Sequence, residues 1–156
     1  MKLYHSSNIS VKIPDTAHSR DFLDFGKGFY LTSLQEQAVK YAQRFLRRKQ
    51  DAWLNMYEFI YNPLDWKALE FNEYDKAWLD FVSKCRAGED DSEYDIIIGG
   101  IANDKVIQTL DRYWVGELSE NDTLGLLKYE KPNNQYCIRS QKMLNECLKH
   151  IESKQL

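Results

Sequence analysis

Asp95-Ile96-Ile97-Ile98-Gly99-Gly100-Ile101 is a short, continuous β-branched run, and such a run reads as a strand buried on both faces. The sheet that holds it needs cover above and below, so the rest of the chain must supply layers on both sides. Four further stretches have strand character: Lys2 to His5, Phe29 to Thr32, Trp53 to Tyr61 before Asn62-Pro63, and Asn134 to Arg139. Between them, apolar residues recur at helical spacing. Leu34, Ala38, Tyr41, Ala42, Phe45 and Leu46 form one stripe running to about Arg48, and Tyr74, Ala77, Trp78, Phe81, Val82 and Cys85 form a second. Val106, Ile107, Leu110, Tyr113 and Trp114 form a third that stops near Gly116. Met143, Leu144, Cys147, Leu148 and Ile151 predict a closing amphipathic helix. Ser33, Asn103 or Asp104, and Ser119 stand where helix caps are expected. Ser6 to Asp24 reads as a loop with one short helix. Strands and helices mix without strict βαβ alternation, which predicts an α+β fold rather than a doubly wound sheet.

The chain has 156 residues, enough for one core, and neither a repeat nor a flexible linker marks a boundary, so residues 1–156 are expected to form a single domain. The formal charge of -3 argues against a protein that blankets nucleic acid or an anionic membrane with positive charge. Cys85, Cys137 and Cys147 are odd in number and widely spaced, so neither a disulfide framework nor a zinc site is expected. His18 and His150 show no ligand spacing, and no metal is expected. Met1 to His5 lacks the apolar stretch of a secretory signal and nothing approaches the length of a membrane span, which points to a soluble, cytoplasmic protein without a membrane partner.

Three stretches carry candidate chemistry: Leu3-Tyr4-His5-Ser6-Ser7, Phe25-Gly26-Lys27-Gly28-Phe29-Tyr30-Leu31-Thr32 and Asn134-Gln135-Tyr136-Cys137-Ile138. In that order they resemble the poly-ADP-ribose-polymerase and diphtheria-toxin branch of the ADP-ribosyltransferases. That branch has a His on its first strand, a Tyr on its second and usually a Glu at the start of a late strand. The corresponding residues are His5, Tyr30 and Gln135. The resemblance implies split antiparallel sheets with surrounding helices, NAD as substrate without a metal, and transfer of ADP-ribose to a macromolecular acceptor, protein or nucleic acid. It implies catalytic roles for His5, Tyr30 and Gln135, and NAD binding by His5, Ser6, Ser7, Arg20, Gly28, Tyr30 and Tyr41. A bacterial toxin or defence role, with a cognate antitoxin as partner, follows by analogy.

Each residue type suits NAD. Phenol faces at Tyr30 and Tyr41 suit a cationic nicotinamide ring, with about 0.5 to 2 kcal/mol per stacked contact. His5 is expected to donate to a ribose hydroxyl, and backbone groups at Ser6 to hold the carboxamide. Gln135 can accept a bond from the ribose as it becomes oxocarbenium-like, but it supplies no negative charge. The chain departs from the family at Gln135, at Ser6, where the polymerase-like domains have Gly, and at Ala38, where they often have Ser.

Taken singly, these residues have plainer readings: His5 as a structural histidine, Tyr30 and Tyr41 as core aromatics. Their joint occurrence, in order and in three matching contexts, carries the resemblance. Gly99-Gly100 fits either a phosphate-binding turn or a buried strand end before a capped helix. Arg44, Arg47, Arg48 and Lys49 fit either a nucleic-acid contact or a solvated helix end. Rival functions are an NAD glycohydrolase and a non-catalytic NAD or ADP-ribose sensor.

Overall fold

The structure is a computed structural model that describes residues 1–156. Seven strands and five helices follow in the order β1 (Lys2–Ser7), β2 (Phe29–Leu31), α1 (Gln35–Arg47), β3 (Trp53–Phe59), β4 (Ala68–Glu70), α2 (Lys76–Ala87), β5 (Ile96–Gly99), α3 (Asp104–Trp114), α4 (Glu120–Leu127), β6 (Gln135–Ile138), α5 (Gln141–Cys147) and β7 (Leu148–Gln155). The strands form two sheets, one ordered β1-β3-β7 and one ordered β2-β6-β5-β4. All pairs are antiparallel except β4 with β5.

Strand alternation divides the interior into layers. Leu3, Tyr57 and Phe59 of the first sheet meet Phe29, Leu31, Ile96 and Ile138 of the second, and α5 adds Met143 and Leu144. Ile97 and Cys137 project to the other side of the second sheet. There they pack with Phe25, with Trp78, Leu79 and Val82 of α2, and with Val106, Leu110 and Leu127 of α3 and α4. A third, smaller cluster joins α1 to the outer face of the first sheet through Tyr4, Ala38 and Leu54. The order of layers is therefore α1, first sheet, second sheet, then α2 to α4. Ile96 and Ile97 are both fully buried, one in each main core, as a doubly covered strand requires.

Helix ends follow local chemistry. Asn103 Oδ1 accepts from Lys105 and Val106 N–H, Ser119 Oγ from Asp122 N–H, and Ser140 Oγ from Met143 N–H. Ser33 does not cap α1. Leu34 occupies that position without a side-chain bond, and the Ser33 hydroxyl donates instead to Asn134 Oδ1. No helix forms between Ser6 and Asp24; the stretch is turns and bends, pinned where Tyr57 Oη donates to Val11 O and Val11 N–H donates to Asn55 Oδ1.

The largest departure lies at the C-terminus. The expected closing helix stops at Cys147, and Leu148–Gln155 form β7 along β3. Met143, Leu144, Cys147 and Leu148 are buried, but Ile151 is 47% exposed. Met143, Leu144 and Cys147 set the helical period inside α5, and Ile151, the one residue that extends it well past the junction, is too little to distinguish a continuing helix from a strand. The three-residue β4 was too short to carry a pattern of its own.

Candidate functional site

β1 and β2 meet at one antiparallel bridge, Tyr4 with Thr32, and there the two sheets part. Tyr4 N–H donates to Thr32 O at 2.8 Å and Thr32 N–H to Tyr4 O at 2.9 Å. A continued ladder would next bring Ser6 N–H to the Tyr30 carbonyl. His5 intercepts it: Nδ1 lies 2.7 Å from Tyr30 O. A carbonyl oxygen only accepts, so Nδ1 carries the hydrogen and, in the neutral ring, Nε2 presents a lone pair. Burial pushes the His5 pKa below its ordinary value, which favours that neutral form. In this form Nε2 is an acceptor, whereas the sequence suggested that His5 donates to a ribose hydroxyl. Its ring stacks on Phe29, with centroids 4.3 Å apart.

Ser6 N–H, displaced from the ladder, points toward the gap between β1 and β2. Its side chain turns the other way, and Oγ donates to the carbonyl of Ala38 on α1. Two of the three positions where the chain departs from the transferase pattern are therefore neighbours. Serine is accommodated at position 6 because its hydroxyl has a backbone partner.

The Phe25-to-Thr32 stretch is explained largely by packing. Gly26 adopts φ of 73°, in the left-handed region. A Cβ on Gly28 would lie 2.6 Å from Cys137 Sγ and 3.0 Å from the Ile138 carbonyl, so only glycine lets β2 close on β6. Tyr30 Oη donates to Gly26 O and accepts from Phe25 N–H at 3.1 Å. Burial raises the Tyr30 phenol far above its usual range, so its proton stays in place and only the ring is available to a ligand.

Tyr30 pairs with Cys137, and Gln135 lies two residues before Cys137 on β6, so alternation puts Tyr30 and Gln135 on the same face of the second sheet. His5 has the opposite parity, and it meets Tyr30 through the main chain at the split. Gln135 is half-buried and its side-chain amide makes no hydrogen bond within the protein. Asn134, whose role composition and period did not signal, fixes Gln135 in space. Its Oδ1 accepts from Ser33 N–H and Oγ, its carbonyl from Gln37 Nε2 at 2.9 Å, and its N–H donates to Gln37 Oε1. That clamp ties the start of β6 to the first turn of α1.

The remaining candidates are more loosely placed. Tyr41 is not a core aromatic; it is 43% exposed, with Arg44 over its ring at 4.6 Å. Ser7 Oγ accepts from Ile9 N–H in the turn after β1. Arg20 is exposed and makes no ion pair. The phosphate-turn reading of Gly99-Gly100 fails. Ile101 and Ala102 N–H are taken by Asn133 and Asp24 side chains, and a Cβ on Gly100 would strike Tyr74 and Pro132.

Two concavities lie away from the split between β1 and β2. One of about 500 Å³ is lined by Ile60, Tyr61, Trp66, Lys142 and Glu146, and one of about 330 Å³ by Lys105, Gln108, Arg112 and Tyr129.

Fold and site together define a mixed α and β protein in which two sheets share one bridge, with a neutral histidine at the point of divergence. The chain belongs to the family described as "Protein of unknown function (DUF3990)", whose model matches residues 1–150. Neither a curated protein nor a solved structure matches it. No helix is long and apolar enough to cross a membrane.

Proposed function

We propose that the chain is an NAD-dependent ADP-ribosyltransferase with the split-sheet fold of that superfamily. One observation carries the reading: the β1–β2 ladder stops after a single bridge because His5 takes the Tyr30 carbonyl, which frees Ser6 N–H and the His5 Nε2 lone pair at the split. In this reading Ser6 N–H donates to the nicotinamide carboxamide, and a ribose hydroxyl donates to Nε2. The Tyr30 ring lies against the cationic ring, and Tyr41, exposed on α1 beside the Arg44 guanidinium, is left free of it. The ribose–nicotinamide bond breaks with its electron pair leaving on nicotinamide. Gln135 Oε1 accepts from the ribose as positive charge develops, and an acceptor nucleophile bonds to the ribose carbon and loses its proton. The three buried, free cysteines support a reducing, cytoplasmic setting.

The neutral side chain at Gln135 favours a second reading, a sensor that holds NAD without cleaving it. A charged acceptor at a developing cation contributes about 3 to 4 kcal/mol, and a neutral one roughly half of that. Released nicotinamide, measured by chromatography, separates the two. A transferase releases it slowly in wild type, about 10- to 30-fold faster after Gln135→Glu, and about 10- to 30-fold more slowly after Gln135→Ala. An inert wild type that binds NAD supports the sensor. Unchanged release in Gln135→Ala removes Gln135 from the chemistry, and calorimetry showing undiminished NAD binding in His5→Ala moves the site elsewhere.

A further inference from the structure

Lys40, Arg44, Arg47, Arg48 and Lys49 fall within ten residues, and no acidic residue stands between Glu36 and Asp51. In α1, Lys40, Arg44 and Arg47 recur at helical spacing opposite buried Ala38 and Ala42, Tyr41 lies on the flank between the two faces, and Arg48 and Lys49 follow the helix end. None of the five cations joins an ion pair, in a protein whose net charge is negative. Complementing the helix dipole accounts for Arg44 and Arg47 in the last turn, but not for Lys40 before it, nor for Arg48 and Lys49 beyond it. Uncompensated like charges this close repel one another, and a polyanion relieves that repulsion. The same strip carries one flat aromatic surface, the exposed Tyr41 ring flanked by the Arg44 guanidinium. At its near end Gln37 grips Asn134, the residue before Gln135. From Gln37 to Arg48 the strip runs about 16 Å.

We infer that the outer face of α1 binds single-stranded nucleic acid and presents it to the split beside Gln135 as the acceptor. Phosphates lie along the cations and one unstacked base lies on Tyr41. This pairing of a basic track with an aromatic platform suits single strands, whose bases expose their faces. It suits a bilayer poorly, because Leu46 is the one large aliphatic side chain exposed between Lys40 and Lys49, too little to insert. The acceptor role rests on the transferase reading; the binding does not.

Fluorescence anisotropy with labelled single-stranded RNA and DNA oligonucleotides, their duplexes, and anionic vesicles tests the binding without NAD. Single strands are expected to bind with a salt slope of about -2, as neutralising some three phosphates implies. Arg44→Glu with Arg47→Glu should weaken binding at least tenfold, and Tyr41→Ala about fivefold or more. Lys105→Glu with Arg112→Glu makes the same change in net charge on α3 and should leave binding within twofold. His5→Ala should not alter it. Circular-dichroism melts confirm that each variant is folded. Absent binding, equal loss in the α3 pair, preference for duplex, or binding to vesicles alone overturns the inference. Nicotinamide release that persists without oligonucleotide binding leaves the transferase reading standing and sinks only the acceptor; oligonucleotide binding without release does the reverse.

Discussion

At the scale of single residues, Gly28 and His5 make the clearest demands. A methyl group at position 28 meets backbone as well as a side chain, and the Ile138 carbonyl cannot rotate away. Gly28→Ala is expected to cost about 1 to 3 kcal/mol of stability by overpacking, read from urea denaturation. A glycine needed only for ligand approach would leave stability untouched and lower affinity alone. His5 predicts a pH effect of definite sign. Its folded-state pKa lies below the ordinary 6.5, so in acid the unfolded chain takes up a proton that the folded chain refuses. Stability is therefore full above about 6.5 and falls as the pH drops from there toward the lowered pKa. His5→Gln should flatten the curve of unfolding free energy against pH in that window. An unchanged slope would mean the ring is as free to ionise in the fold as out of it.

The elements are held by a few side chains that reach between them. Asn134 satisfies two donors of Ser33 and exchanges two bonds with Gln37, so it couples β6, the end of β2 and α1. Asn134→Ala removes only the two bonds from Ser33, since Gln37 grips the main chain, and should lower stability by about 2 kcal/mol, with hydrogen exchange accelerated first at Ser33 and the end of β2. Uniform acceleration over the whole chain would contradict this local role. β7 gives a complementary test. Because Ile151 faces solvent on a strand, Ile151→Ser should change stability by no more than about 0.5 kcal/mol. In the core of a closing helix, the same truncation would cost several times that amount.

For the whole molecule, one buried carboxylate connects parts far apart in the chain. Asp24 is 6% exposed; it accepts from Arg86 Nε of α2 at 2.6 Å and from Ala102 N–H before α3 at 2.7 Å. The loop that supplies Gly26 to Tyr30 is thereby fastened to the far helical layer. Arg139 fastens it from the other side, donating to Phe25 O and pairing with Asp90 at 2.9 Å. Arg86→Met leaves Asp24 charged and without its cation, and should cost about 3 to 5 kcal/mol in a thermal or urea melt. Restoring neutrality with Asp24→Asn in the same chain should recover part of that loss. If it recovers none, the pair contributes through packing rather than charge.

Several features were legible in the amino-acid order because they depend on near neighbours. Ile96 to Gly99 as a doubly covered strand, the stripes of α1, α2 and α3, and the caps at Asn103 and Ser119 all arise from side chains acting within a turn or two. The positions of His5, Tyr30 and Gln135 on or beside strands were legible for the same reason. Other outcomes depended on partners distant in sequence. Residues 148–155 became strand because β3 offered an edge to pair with, an energy that no local period contains. Ser33 does not cap because α1 starts one residue later, with Leu34 at the cap position, and Asn134, 101 positions away, holds both the Ser33 N–H and its hydroxyl. His5 became an acceptor because the sheets part beside it and leave the Tyr30 carbonyl to Nδ1. Local order determines which conformations a segment favours; hydrogen-bond partners and burial, which exist only once distant segments meet, decide which of them it keeps.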